Sequence, residues 1–131
     1  KARRGEIPNV TILGPKPRSV LAGQQMETKV WAFPFDPVCY TEGFCVSCGE
    51  SLAAGCYAVA RPDDALEEVY GDAPVWVRAP VCTPEWRDRF AAEKVKGLKA
   101  TSVPNQAARA EVMSTYTWEN AASQLEKALL P

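Results

Sequence analysis

Two glutamates eight residues apart, Glu42 and Glu50, bracket the run Glu-Gly-Phe-Cys-Val-Ser-Cys-Gly-Glu. An ionised carboxylate only accepts hydrogen bonds, so it can take both hydrogens of a vicinal diol such as a ribose 2′,3′-diol. A helix beginning near Gly43 or Phe44 sets unpaired backbone N–H groups, and the positive end of its dipole, at the start of this run. Such an end suits a phosphate, and Gly43 leaves room for a ligand to approach the backbone closely. Glu50 falls roughly 9 Å beyond Phe44 along the axis, at about 1.5 Å per residue. Helical side chains lean toward the N-terminus, so its carboxylate reaches back toward that phosphate. A phosphate at the helix start and a ribose one step along make a nucleotide site.

The elements around this run must position it. Residues 29–35 are dense in Val, Trp and Phe and read as a buried strand, with 36–41 as a loop. The central helix runs to Gly55, a C-terminal glycine. Phe44, Cys48 and Leu52 recur every fourth position as its apolar face, opposite Ser47, Glu50 and Ser51. A strand at 57–60, a short acidic helix at 65–70 and a strand at 73–79 follow. Upstream, residues 7–14 read as a strand closed by Gly14-Pro15-Lys16-Pro17, and 19–26 as a short helix. Thr83 caps a helix with Pro84 at its first position. Trp86, Phe90, Ala91, Val95 and Leu98 form its stripe, and Gly97 weakens its last turn. Residues 105–115 are helical, and Thr117 caps a last helix whose face carries Trp118, Ala121, Ala122, Leu125, Ala128 and Leu129. Alternating strands and helices imply a Rossmann-like α/β domain, a parallel sheet with flanking helices, covering residues 1–131. Ligands of such sheets bind beyond the carboxyl ends of the strands. The loops at 14–18, 36–43 and 61–65 belong there, which makes Gly14, Lys16 and Arg18 candidates for base or phosphate contacts. Core packing is the reading for Trp31, Trp76, Trp86 and Trp118.

Composition sets the outer bounds. The chain has 131 residues and 47% apolar content, enough for one domain with a core. A net charge of −1 offers no bulk attraction to nucleic acid or to an anionic membrane. No apolar run approaches the roughly 20 residues that span a bilayer, and residues 1–10 lack the apolar stretch of a signal peptide. With five cysteines and no secretory signal, the thiols are expected reduced in a cytoplasmic setting.

The order Pro34 … Glu42-Gly43-Phe44-x5-Glu50-x2-Ala53-x-Gly55 resembles the Glu-x7-Glu signature of retaining GT-B glycosyltransferases (family 4, glycosyltransferase group 1). Val10 to Gly14 and Tyr116-Thr-Trp118 are similar to flanking segments of that family, so the resemblance spans nearly the whole chain. It implies part of a C-terminal donor-binding domain that transfers a sugar from a nucleotide diphosphate sugar to an acceptor hydroxyl with retention. It implies Glu42 as the catalytic-site contact to the transferred sugar and Glu50 as the ribose ligand. It also implies that the amides of Gly43, Phe44 and Cys45 face the sugar or diphosphate. The acceptor is then a glycan, a lipid or a small molecule. An N-terminal acceptor domain is the expected partner, with peripheral membrane attachment arising there, and the isolated chain is expected to be inactive. Neither metal nor cofactor is required. Gly49, Ser51 and Tyr57 depart from the family pattern, and the basic pair that neutralises the diphosphate has no match here.

Two other readings stand beside this one. A non-catalytic binding or interaction module of the same fold is the alternative. A thiol or zinc protein is the third, because Cys45-Val-Ser-Cys48 is a CxxC at a helix start. Without a histidine or a second CxxC, and with Cys48 on the apolar face, Cys45 and Cys48 read as small core residues.

Overall fold

A computed structural model describes residues 8–34, 43–63 and 65–129. The order is α1 (Arg18–Glu27), β1 (Val30–Phe33), α2 (Val46–Ala53), β2 (Tyr57–Ala60), α3 (Leu66–Tyr70), β3 (Val75–Trp76), α4 (Pro84–Lys99), α5 (Gln106–Thr115) and α6 (Trp118–Leu129). The strands form one parallel sheet in the order β1-β2-β3. The register pairs Val30 with Tyr57 and Val59 with Val75. The chain is thus mixed α/β, with a small parallel sheet and flanking helices.

Side chains alternate across the sheet with the two-residue strand period, and each face builds its own core. Trp31, Phe33, Ala58 and Trp76 face Cys48, Leu52, Leu66, Tyr70 and Val112, from α2, α3 and α5. Val30, Ala32, Tyr57, Val59 and Val75 face Trp86 and Phe90 of α4. α4 begins as the sequence indicates, with Thr83 Oγ1 accepting the Trp86 amide and Pro84 at the first helical position.

Gly97 does not weaken α4; it lets the helix reach the sheet. A Cβ there would stand 2.7 Å from the Tyr57 ring and 2.8 Å from Val30 Cγ2. The buried face of α4 therefore runs through Phe90 and Gly97, while Val95 and Leu98 of the expected stripe are 48% and 58% exposed. Other expectations also change. Residues 10–14 lie outside the sheet, and Val10, Ile12 and Leu13 are exposed. The third strand shrinks to Val75–Trp76. Trp118 packs in no core: it is 89% exposed at the head of α6, a helix with no buried residue.

α5 is tied to α2 by a buried cation. Arg109 donates from Nη1 to the Cys56 carbonyl at 2.8 Å and from Nη2 to the Leu52 carbonyl. These carbonyls end α2 and begin β2, where the helix dipole is negative and orphan acceptors need donors. Arg109→Met keeps much of the stem but leaves both carbonyls without this donor. We expect a loss of about 1.5–3 kcal/mol, the scale of hydrogen bonds to a charged group. In urea unfolding the midpoint falls at unchanged slope; an unchanged midpoint contradicts the clamp.

Candidate functional site

The site is organised by the start of α2. The helix begins at Val46, later than Gly43 or Phe44, because Cys45 is held left-handed at φ 47° as its N-cap. Tyr70 from α3 explains this turn. Its hydroxyl shares its hydrogen between the carbonyls of Phe44 at 2.8 Å and Cys45 at 3.0 Å. The Cys45 carbonyl also accepts the Cys48 amide at 2.8 Å, which closes a tight first turn. Burial, with the thiols of Cys48 and Cys45 adding to it, pushes the Tyr70 hydroxyl well above its ordinary pKa, so it stays a donor.

The same ring accounts for Gly49. A Cβ there would lie 3.1 Å from the Tyr70 hydroxyl oxygen, tighter than ordinary contact. The glycine in the middle of α2 is the seat for Tyr70. Ser51, placed on the polar face by its spacing, is fully buried instead, and its hydroxyl finds no hydrogen-bond partner among the described residues.

Glu50 faces α1. Arg18 donates from Nη2 to one carboxylate oxygen at 2.6 Å, and Gln25 from Nε2 to the other at 3.5 Å. α1 packs against α2, which in turn packs against β2. The Glu50 side chain is 34% exposed and that of Arg18 81%. Such an exposed pair contributes little to stability, about 0–1 kcal/mol, so a ligand can rearrange it cheaply.

The structure therefore brings Gly43, Phe44, Cys45 and Glu50 onto one short segment, with Arg18 across from it. Gly43 is exposed, Phe44 is 45% exposed and Cys45 is buried. Gly14, at φ 65°, and Lys16 are exposed in the segment leading into α1. Glu42 lies outside the described residues, as do Cys39 and most of the 36–43 loop. In the loop after β2, Arg61 pairs with Asp63 through Nε.

Beside the start of α2 opens a cleft of about 580 Å³, lined by Arg18, Phe44, Val46, Tyr116, Trp118 and Gln124 among others. Phe44 and Tyr116 meet edge to face, 5.2 Å between centroids and 77° between planes. Tyr70 backs both rings at 5.9 and 6.4 Å. Tyr70 is marked by no motif, and Tyr116 only by its place in the Tyr116-Thr-Trp118 segment; the signal available for Tyr70 was a glycine where a helix should not want one.

The cysteines of the CxxC sit as core residues. Cys48 is fully buried and Cys45 is 6% exposed, with its Sγ 3.4 Å from Ser47 Oγ. Burial pushes the Cys48 thiol up to about 12, the reverse of the depressed, accessible thiolate that redox chemistry uses. Among the described residues no cluster of three or more His, Cys, Asp or Glu could hold a metal ion. Nor is any described helix long and apolar enough to cross a membrane.

No protein-family model, curated protein or solved structure matches this chain.

Tyr70→Phe keeps the ring and removes the hydroxyl. We expect it to cost about 1 kcal/mol and to speed hydrogen exchange at the Cys48 amide, whose acceptor carbonyl it anchors. Exchange at Cys48 as slow as in the parent protein would show that the turn holds itself.

Proposed function

We propose that this chain is a nucleotide-sugar donor-binding domain of a glycosyltransferase. The observation that carries the reading is the meeting of Glu50 with Arg18 at 2.6 Å. It joins segments 14–18 and 43–50, and α2 follows the parallel strand β1 in the chain, the order in which such sheets offer a ligand site.

In this reading the Glu50 carboxylate takes the ribose diol. Arg18, released from Glu50, supplies positive charge to the diphosphate, a part the family's missing basic pair would otherwise play. A planar guanidinium suits that contact through paired N–H donors. The amides of Gly43, Phe44 and Cys45 face the diphosphate or the sugar, and Glu42 contacts the sugar. During transfer the bond from the anomeric carbon to the diphosphate oxygen breaks. A bond from that carbon to the acceptor oxygen forms, and the proton of the acceptor hydroxyl passes to the departing diphosphate oxygen. Donors already aimed at the leaving diphosphate lower the barrier without rearrangement. The donor sugar nucleotide is substrate, and these residues call for no further cofactor.

The second reading is an interaction module of the same fold. The exposed face of α6 favours it, with Trp118, Leu125 and Leu129 at 89%, 60% and 68% exposure.

Glu50→Gln separates the two. It keeps size and replaces an acceptor oxygen with a donor group, so the diol loses a charge-assisted hydrogen bond worth roughly 1.5–3 kcal/mol. Calorimetry with UDP, GDP and ADP is expected to show one nucleotide bound by the parent protein and weakened about ten- to a hundredfold by the substitution. Binding that is indifferent to Glu50→Gln removes Glu50 from the site. No binding of any of the three leaves the interaction module.

A further inference from the structure

Beyond the nucleotide reading, we propose that the cleft between the start of α2 and the head of α6 is a binding subsite for a neutral saccharide. The cleft holds about 580 Å³, within the range of small-ligand sites. Its most unusual member is Trp118. An indole 89% exposed on the first residue of a helix forgoes the burial that normally places tryptophan.

The lining chemistry selects the ligand class. A pyranose presents a flat C–H face and a rim of hydroxyls that both donate and accept. Trp118 offers a broad aromatic face to the first. Gln124 carries a donor and an acceptor for the second, and Thr115 and Thr117 add hydroxyls at the edge. Thr117 Oγ1 accepts the Asn120 amide and Thr115 Oγ1 donates to the Glu111 carbonyl, so both hydroxyls are held in place. Arg18 retains N–H donors beyond the Nη2 group that bonds Glu50.

Two features disfavour a nucleotide. A base stacks best between parallel faces, and the other two aromatic rings here stand at 77° to each other. Among the described residues the cleft is lined by one cation, Arg18, which the donor reading already assigns to the diphosphate, and no second cation is there to hold a phosphorylated ligand of its own. On the donor reading, a sugar held here is the acceptor; that role rests on that reading, whereas the binding itself does not.

The test is saturation-transfer NMR on the whole chain, with methyl α-glucoside, methyl α-mannoside and methyl β-galactoside as probes and uridine and adenosine as comparators. We expect transfer to at least one glycoside, strongest at the ring protons of one face, as stacking requires. Trp118→Ala is expected to abolish it and Trp118→Phe to restore part of it. Trp118 is on the surface, so neither change threatens folding, which thermal unfolding checks. Transfer to none of the glycosides, or transfer that survives Trp118→Ala, overturns the proposal. So does a stronger nucleoside signal that depends on Trp118. Sedimentation showing a dimer that Trp118→Ala dissociates also overturns it, because the indole would then serve a protein interface. Glycoside binding can succeed while nucleoside diphosphate binding fails, and the reverse, so the two readings fall separately.

Discussion

An eight-residue helix cannot hold itself in water, and the candidate site stands on one. α2 spans Val46–Ala53, shorter than the roughly 12–15 residues at which even favourable isolated helices become marginal. It persists because its neighbours hold it at both ends. Tyr70 fixes the carbonyls of Phe44 and Cys45 before the first turn, and Arg109 fixes those of Leu52 and Cys56 after the last. Between these anchors Cys48 and Leu52 bury their side chains against the sheet, and Gly49 admits the Tyr70 ring. The position of Glu50 follows from that grip and not from the helix's own preference.

This dependence sets what the sequence could reveal. Local chemistry was legible where it acts locally. The Thr83-Pro84 cap, the alternation of strand and helix, and the burial of Cys48 and Leu52 follow from adjacent residues, whereas Phe44 of the same expected face lies before α2 and is 45% exposed. What stayed hidden was set by contacts distant in sequence. Gly49 and Gly97 each look like a flaw in a helix when only their own helix is considered. Tyr57 comes too close to Gly97 for a Cβ there, and Tyr70 lies tighter against Gly49 than an ordinary Cβ contact. The helix start shifted to Val46 for the same reason, since a hydroxyl from α3 holds Cys45 left-handed. Ser51 reads as polar surface by period and is buried by packing. Trp118 is the opposite case: its amphipathic helix predicts burial, and within the described residues nothing covers it.

The site itself was half legible. The spacing of acid, glycine and helix drew attention to Glu50, and the place of the 14–18 loop drew attention to Lys16 and Arg18. The contact of Arg18 with Glu50 depends on how α1 lies against α2, which no spacing states. With Arg18 and Gln25 on its two oxygens, Glu50 already accepts hydrogen bonds from two directions. That is the arrangement of acceptors a vicinal diol would use. An exposed ion pair exchanges for such a ligand at little cost, and the exchange frees a guanidinium beside the carboxylate. On the proposed reading the same two residues serve the ribose and the diphosphate in turn.

The most direct measurement is amide chemical-shift mapping of the isotope-labelled chain during titration with UDP, GDP and ADP. The account predicts saturable shifts for one of them, concentrated at residues 14–18 and 43–50, with α4 undisturbed on the opposite face of the sheet. Shifts centred on α4 or spread without a focus, or none with any of the three, would contradict a nucleotide site at the start of α2.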